Sequence, residues 1–109
     1  MLDDDLLDCL ERAAFGYFVD EVNPGNGLVA DTSRQGAPAS IAVVGLALST
    51  YPVAVERGWL KREDAAGRTL VTLRFFEASA QGSAADVTGY KGFDYHFLDL
   101  ESGKRAWQC

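Results

Sequence analysis

The stretch Ser40-Ile41-Ala42-Val43-Val44-Gly45-Leu46-Ala47-Leu48 decides the fold. Ser40 is a good N-cap, and the residues after it are apolar on every face of a helix. A helix with no polar face has to be surrounded by protein. It is expected to run over 41–56, with a kink at Pro52 and an end at Gly58. Its two neighbours in the chain are of another kind. Over residues 5–22, Leu6, Leu10, Ala13, Ala14, Tyr17 and Phe18 recur at helical spacing, with Asp8, Glu11, Arg12 and Asp20 opposite. Asp3, Asp4 and Asp5 precede that pattern and suit the positive end of a helix dipole. Over residues 62–78, Ala66, Thr69, Leu70, Leu73 and Phe76 form a stripe, while Glu63, Arg68, Thr72 and Glu77 are expected to stay wet. The layering is therefore outer helix, inner helix, outer helix.

The links between these helices differ in length. Asn23–Ala39 is long, Arg57–Lys61 is short, and everything from Ser79 onward follows the third helix. Because packed antiparallel helices alternate in direction, the two long links leave at the same end. Function gathers in such loops. The last link holds Gly89-Tyr90-Lys91-Gly92-Phe93-Asp94-Tyr95-His96-Phe97-Leu98-Asp99, which brings four aromatic rings, a lysine, the only histidine and two carboxylates together. Aromatic faces beside polar groups suit sugars: rings stack on pyranoses, and Asp, Lys and His reach hydroxyls. Residues 93–100 read as a strand, 101–104 as a turn and 105–108 as a returning strand. With the small-residue loop before them, they make a cleft-side loop and hairpin over 79–108.

Composition narrows the function. The chain of 109 residues has 48% apolar and 24% charged residues, which fits one globular unit. A net charge of −6 argues against a nucleic-acid partner. No apolar run is long enough to span a bilayer, so no membrane insertion is expected. The start is acidic where an export signal would be basic, which leaves the compartment open between cytoplasm, periplasm and secretion. Cys9 and Cys109 have no metal spacing around them and read as a core thiol and a terminal one. With no CxxC, HExxH, GxGxxG or phosphate-loop pattern, no metal and no cofactor is expected.

Several motifs occur together and in order: Asn23-Pro24, Gly27-Leu28-Val29 and Asp31; Ala37-Pro38-Ala39-Ser40-Ile41-Ala42; Tyr51-Pro52, and Val55-Glu56-Arg57-Gly58-Trp59. Gly89-Tyr90-Lys91-Gly92-Phe93, Tyr95-His96-Phe97-Leu98-Asp99 and Arg105-Ala106-Trp107 follow. This series resembles the glucoamylase-like family of bacterial carbohydrate enzymes, which includes endo-β-1,2-glucanases and domains of cyclic β-1,2-glucan synthases. The resemblance implies an all-α fold with a small β-hairpin insertion, an incomplete portion of an (α/α)6 toroid whose cleft lies at one end. It implies an N-terminal fragment of a glycoside hydrolase with a glucan partner, β-1,2-linked. It also places the catalytic carboxylates beyond Cys109, so that none is expected here and the fragment alone is expected to be inactive. Ala30, Thr32 and Asp94 depart from the family pattern, which bears on substrate preference.

The substrate-binding candidates are Asp31, Tyr90, Lys91, Tyr95, His96 and Trp107. Each has a plainer reading. Asp31 caps its loop, His96 packs as a strand residue, and Phe93, Tyr95 and Phe97 fasten the hairpin to the helices. Asp99, before the turn, reads as a turn acceptor. Glycoside hydrolysis needs two carboxyl groups ~5–9.5 Å apart across the bond, and no pair here is marked out for that. Trp59, in the short link, is assigned to packing. The alternative to an enzyme fragment is a small helical interaction module with no catalytic parts.

Overall fold

A computed structural model describes residues 3–106. Helix α1 spans Asp3–Asp20, β1 Ala39–Ser40, α2 Ile41–Glu56 and α3 Arg62–Ala78; β2 Gly89–Tyr90, β3 Phe93–Asp94 and β4 Phe97–Leu98 follow. Half the chain is helical, and the strands are short insertions at one end. Helix α1 starts and stops two residues before the expected bounds. Asp3, Asp4 and Asp5 form its first turn instead of preceding it. It ends early because Val22 leaves to bridge Val29, while the Asn23 amide donates to the Leu28 carbonyl at 2.8 Å.

Helix α2 packs between the other two. Val44, Ala47, Tyr51 and Ala54 are its buried residues. Pro52 lies inside the helix without ending it. The stop is a Schellman arrangement: the Gly58 amide donates to Val55 at 3.1 Å and the Trp59 amide to Ala54 at 2.8 Å. Gly58 supplies the positive φ of 77° that this geometry requires. Trp59 then stacks on Phe15, with ring centroids 5.5 Å apart, at the end away from the long links. Packing is its role, as its position in the short link implied.

The flanking helices bury different faces from those the sequence pattern marked. In α1 the buried residue is Phe15, whereas Leu6, Leu7 and Leu10 are exposed. The first half of α1 meets the rest of the molecule through Arg57, whose guanidinium reaches Asp8 and Glu11 at 3.5 and 3.2 Å. In α3, Thr72 is buried and not wet, because its hydroxyl is satisfied by the Arg68 carbonyl at 3.0 Å. The glycine turn of the first link lies directly on it: a Cβ at Gly27 would fall 2.0 Å from Thr72 Oγ1. Leu70 and Leu73 instead border an open groove with Tyr51, Pro52 and Val55 of α2. Leu46 and Val53 of α2 are exposed too, so the apolar inner helix is only partly covered by the described residues. Cys9, expected in the core, is exposed.

Candidate functional site

Both long links do meet at one end, and a narrow antiparallel ribbon joins them. Ala30 bridges Ala39, β1 pairs with β4 through Ala39↔Leu98 and Ser40↔Phe97, and Leu98 bridges Arg105. Buried Leu28, Ala39, Val44 and Leu98 glue this ribbon to α2. Two asparagines of the first link tie down the last one: Asn23 and Asn26 Nδ2 both donate to the Leu100 carbonyl, at 3.0 and 3.1 Å. Tyr17 of α1 donates its hydroxyl to the Ala30 carbonyl. Burial, followed by the carboxylates of Glu21 and Asp31, raises the Tyr17 pKa and keeps the phenol a donor.

An open cleft of about 820 Å³ lies along this ribbon. Ser33–Pro38 form one wall, and Asp99–Ser102 with Lys104–Ala106 form the other. Its charged lining includes Arg34, Lys104 and Arg105 as cations and Glu21, Asp86 and Asp99 as acids. Lys104 and Asp86 approach to 4.0 Å, in an exposed pair of little energetic weight. Such a surface can offer many hydrogen bonds to a neutral polyhydroxylated ligand.

The five described candidates do not line this cleft. Asp31 is exposed, next in the chain to cleft-lining Ala30, and its amide is held by the Pro38 carbonyl at 2.8 Å. Tyr95 is half-buried, packed on the Leu28–Leu98 cluster. The Arg105 guanidinium sits 4.1 Å from its ring centroid, so one face of that ring is already taken. His96 is exposed; its Nε2 lies 3.2 Å from Ser40 Oγ, and its carbonyl accepts the Ile41 amide at 2.9 Å. Ser40 therefore makes no side-chain cap for α2 and spends its hydroxyl on His96. Tyr90 and Lys91 lie apart, on a separate hairpin. Trp107 lies outside the described residues.

That hairpin is additional to the expected one. The turn within 101–104 exists, and Asp99 governs it as a turn acceptor. Asp99 Oδ2 accepts the Ser102 and Glu101 amides at 2.7 and 3.2 Å. These bonds, Ser102 first, hold its carboxyl below the usual aspartate range. Beyond this turn the expected return begins: Leu98 bridges Arg105, the Asp99 amide donates to the Lys104 carbonyl at 2.7 Å and the Ala106 amide to the Phe97 carbonyl at 3.0 Å, while β4 also pairs with β1. The rest of that strand lies outside the described residues. The regular hairpin lies earlier, with β2 and β3 paired as Gly89↔Asp94 and Tyr90↔Phe93 about a two-residue turn at Lys91-Gly92. Phe93 is 81% exposed and fastens nothing to the helices. Burial raises the Asp94 carboxyl, with a Gln81 hydrogen bond opposing it. Among the described residues, no group of three or more His, Cys, Asp or Glu side chains is placed to hold a metal ion. No described helix is long and apolar enough to cross a membrane.

Sequence reasoning missed Arg34 and Lys104 as cleft residues. Their signal was modest: basic side chains in the two long links of an acidic chain.

No family model matches the chain. Over 94% of its length it superposes on a candidate glucoamylase from Bacteroides uniformis, with a TM-score of 0.79 and 31% identity. The chain resembles part of a glucoamylase-like enzyme. It superposes on a second candidate glucoamylase, from Bacteroides fragilis, with a TM-score of 0.76 and 23% identity. An endo-β-1,2-glucanase from Chitinophaga pinensis, solved with sophorotriose and glucose, shares the fold with a TM-score of 0.72 and 20% identity. Among curated proteins, an exo β-1,2-glucooligosaccharide sophorohydrolase of Parabacteroides distasonis is 27% identical over 109 residues. The chain spans 14% of that relative and about a quarter of each solved one. It is thus a small portion of an (α/α)6 toroid, as the resemblance implied and in agreement with the helix layering.

Proposed function

We infer that this chain supplies part of the substrate-binding end of a glycoside hydrolase acting on β-1,2-linked glucan. The carrying observation is that two long links of a glucoamylase-like scaffold are bound together by the Ala30–Ala39–Leu98–Arg105 ribbon, with a wide cleft of mixed charge along it. The curated relative and one solved relative act on β-1,2-glucans by name, which supports the linkage. Asp31, beside cleft-lining Ala30, and Arg34, in the wall, meet glucan hydroxyls in this reading. Tyr95 and His96 contribute from the segment that follows in the ribbon, and Trp107 is a further contact in this reading. The paired carboxylates of the hydrolytic step come from outside this chain in this reading, since Asp99 is committed to its turn as the acceptor of two amides.

The rival, a self-contained helical module, calls for a covered inner helix. Leu46, Val53, Leu70 and Leu73 are uncovered, which favours a portion of a larger body. Titrating the chain with a β-1,2-linked glucotriose, followed by NMR, tests the reading. Saturable shifts at residues 30–38 and 95–106, without release of reducing ends, are expected. Hydrolysis by this chain that is lost in Asp31→Asn would overturn the assignment of catalysis elsewhere, and absence of any glucan binding would overturn the reading itself.

A further inference from the structure

The β2–β3 hairpin projects from the molecule, and its tip is built at a cost. Its turn has positive φ at both positions, 52° at Lys91 and 86° at Gly92, the geometry that matches strand twist. Asparagine, aspartate or glycine normally fills the first position, because a side chain with a full Cβ is disfavoured there. Lys91 is the one non-glycine residue with positive φ among the described residues. Strain held at an exposed turn invites a functional reason. Lys91 Nζ lies over the Tyr90 ring, 5.3 Å from its centroid. Directly across the ladder, Phe93 pairs with Tyr90, so both rings share one face of the hairpin. They are 44% and 81% exposed. Gln81 braces the turn from below, its Oε1 accepting the Gly92 amide at 3.1 Å.

We propose that Tyr90, Lys91 and Phe93 form a second glucan-binding platform, distinct from the ribbon cleft, on which Phe93 is the main stacking residue. Two adjacent rings offer room for the apolar face of a pyranose, and the ammonium beside them donates to its hydroxyls. A docking face for an apolar protein surface has no use for a cation held in a strained backbone at its centre. This assignment rests on the glucan reading above and extends it to a residue, Phe93, in a different part of the surface.

The test uses the full chain and a β-1,2-linked glucotriose, with a β-1,3-linked counterpart beside it. Phe93 is so exposed that Phe93→Ala keeps the fold, which circular dichroism verifies. Affinity is expected to fall on the order of tenfold in Phe93→Ala, the loss of one stacked ring, and to be kept in Phe93→Trp. Lys91→Asn is expected to raise the melting temperature, since asparagine tolerates this φ, and to weaken binding in the same protein. A higher melting temperature with unchanged affinity would overturn the platform, because the strained lysine would then serve no ligand. Binding that is insensitive to Phe93 but lost in Arg34→Ala would overturn the platform and leave the cleft reading standing. Phe93-dependent binding of the β-1,3-linked sugar alone would support the platform and refute the β-1,2 linkage. Self-association that disappears in Phe93→Ala, with no sugar bound, would make the tip an interface between copies and overturn the proposal.

Discussion

The two turns that follow α3 share their ingredients. Each has a glycine with positive φ, a lysine beside that glycine and an aspartate close by in the chain. Their surroundings are opposite. The turn at Ser102-Gly103 lies on α3, where a Cβ at Gly103 would fall 2.1 Å from Cζ of Phe75. Thr88 Oγ1 donates to the Gly103 carbonyl at 2.8 Å, and Asp99 accepts two amides. The turn at Lys91-Gly92 has nothing within 4 Å of the corresponding point on Gly92. One turn is bolted to the scaffold and the other is presented to solvent. Composition alone marks a turn; what lies beneath it decides whether that turn carries structure or is free to carry a ligand.

Substitutions can break this contrast. Gly103→Ala is expected to cost the most, roughly 2–4 kcal/mol, because backbone strain adds to collision with the Phe75 ring. Gly92→Ala, with the same backbone demand and open space, should cost only about 1 kcal/mol. Equal losses in denaturant titrations of the two variants would show that Gly103 is not seated on Phe75. Thr88→Val keeps the shape, strips the buried Gly103 carbonyl of its partner and should cost about 1–2 kcal/mol. Phe93→Ala should lie within about 0.5 kcal/mol of the parent chain. A larger loss would mean that the tip is packed after all.

Acid titration sharpens the comparison further, since the aspartate beside each turn responds in the opposite sense. The Asp99 carboxyl is lowered by its Ser102 and Glu101 amides. Its contribution is therefore full above the unfolded aspartate value and is lost as pH falls through the lower folded value. Asp99→Asn should flatten that acid-side loss. Asp94 is raised by burial. Folding then takes up a proton as pH drops from above the raised value toward the unfolded one, so this residue favours stability at acid pH and opposes it at neutral pH. Asp94→Asn should be neutral to slightly stabilising at pH 7. Thermal melts of both variants between pH 3 and 7 check the two slopes, and slopes of the same sign would refute the contrast.

Much of the architecture was legible because it rests on local rules. The apolar run from Ile41, the Gly58 stop and the unequal links placed three helices and gathered both long loops at one end. Which faces of α1 and α3 are buried was not legible from period alone. Phe15 and Thr72 are buried because Trp59 and Gly27 come against them from elsewhere in the chain. Leu70 and Leu73 form a good amphipathic stripe that has no partner among the described residues. The hairpin at 89–94 was missed for a related reason. Glu101-Ser102-Gly103-Lys104 carries the stronger turn composition, whereas Lys91-Gly92 puts a lysine where turn statistics favour asparagine. His96 was read as a candidate contact. Its tie to Ser40 spans 56 positions, and no local pattern reveals a bond of that separation.

Such separations also order events in time. The bonds from Asn23 and Asn26 to Leu100 join residues 77 and 74 positions apart. Helices α2 and α3, joined by a short link, can zip together within microseconds to milliseconds, but the ribbon beneath the cleft waits for a much larger loop to close. During synthesis at ~5–20 residues per second, the helical pair can be in place seconds before Leu98 and Leu100 emerge to meet it. The binding surface is therefore the last part of this region to exist, and a chain stalled before Leu98 carries the helices without the cleft.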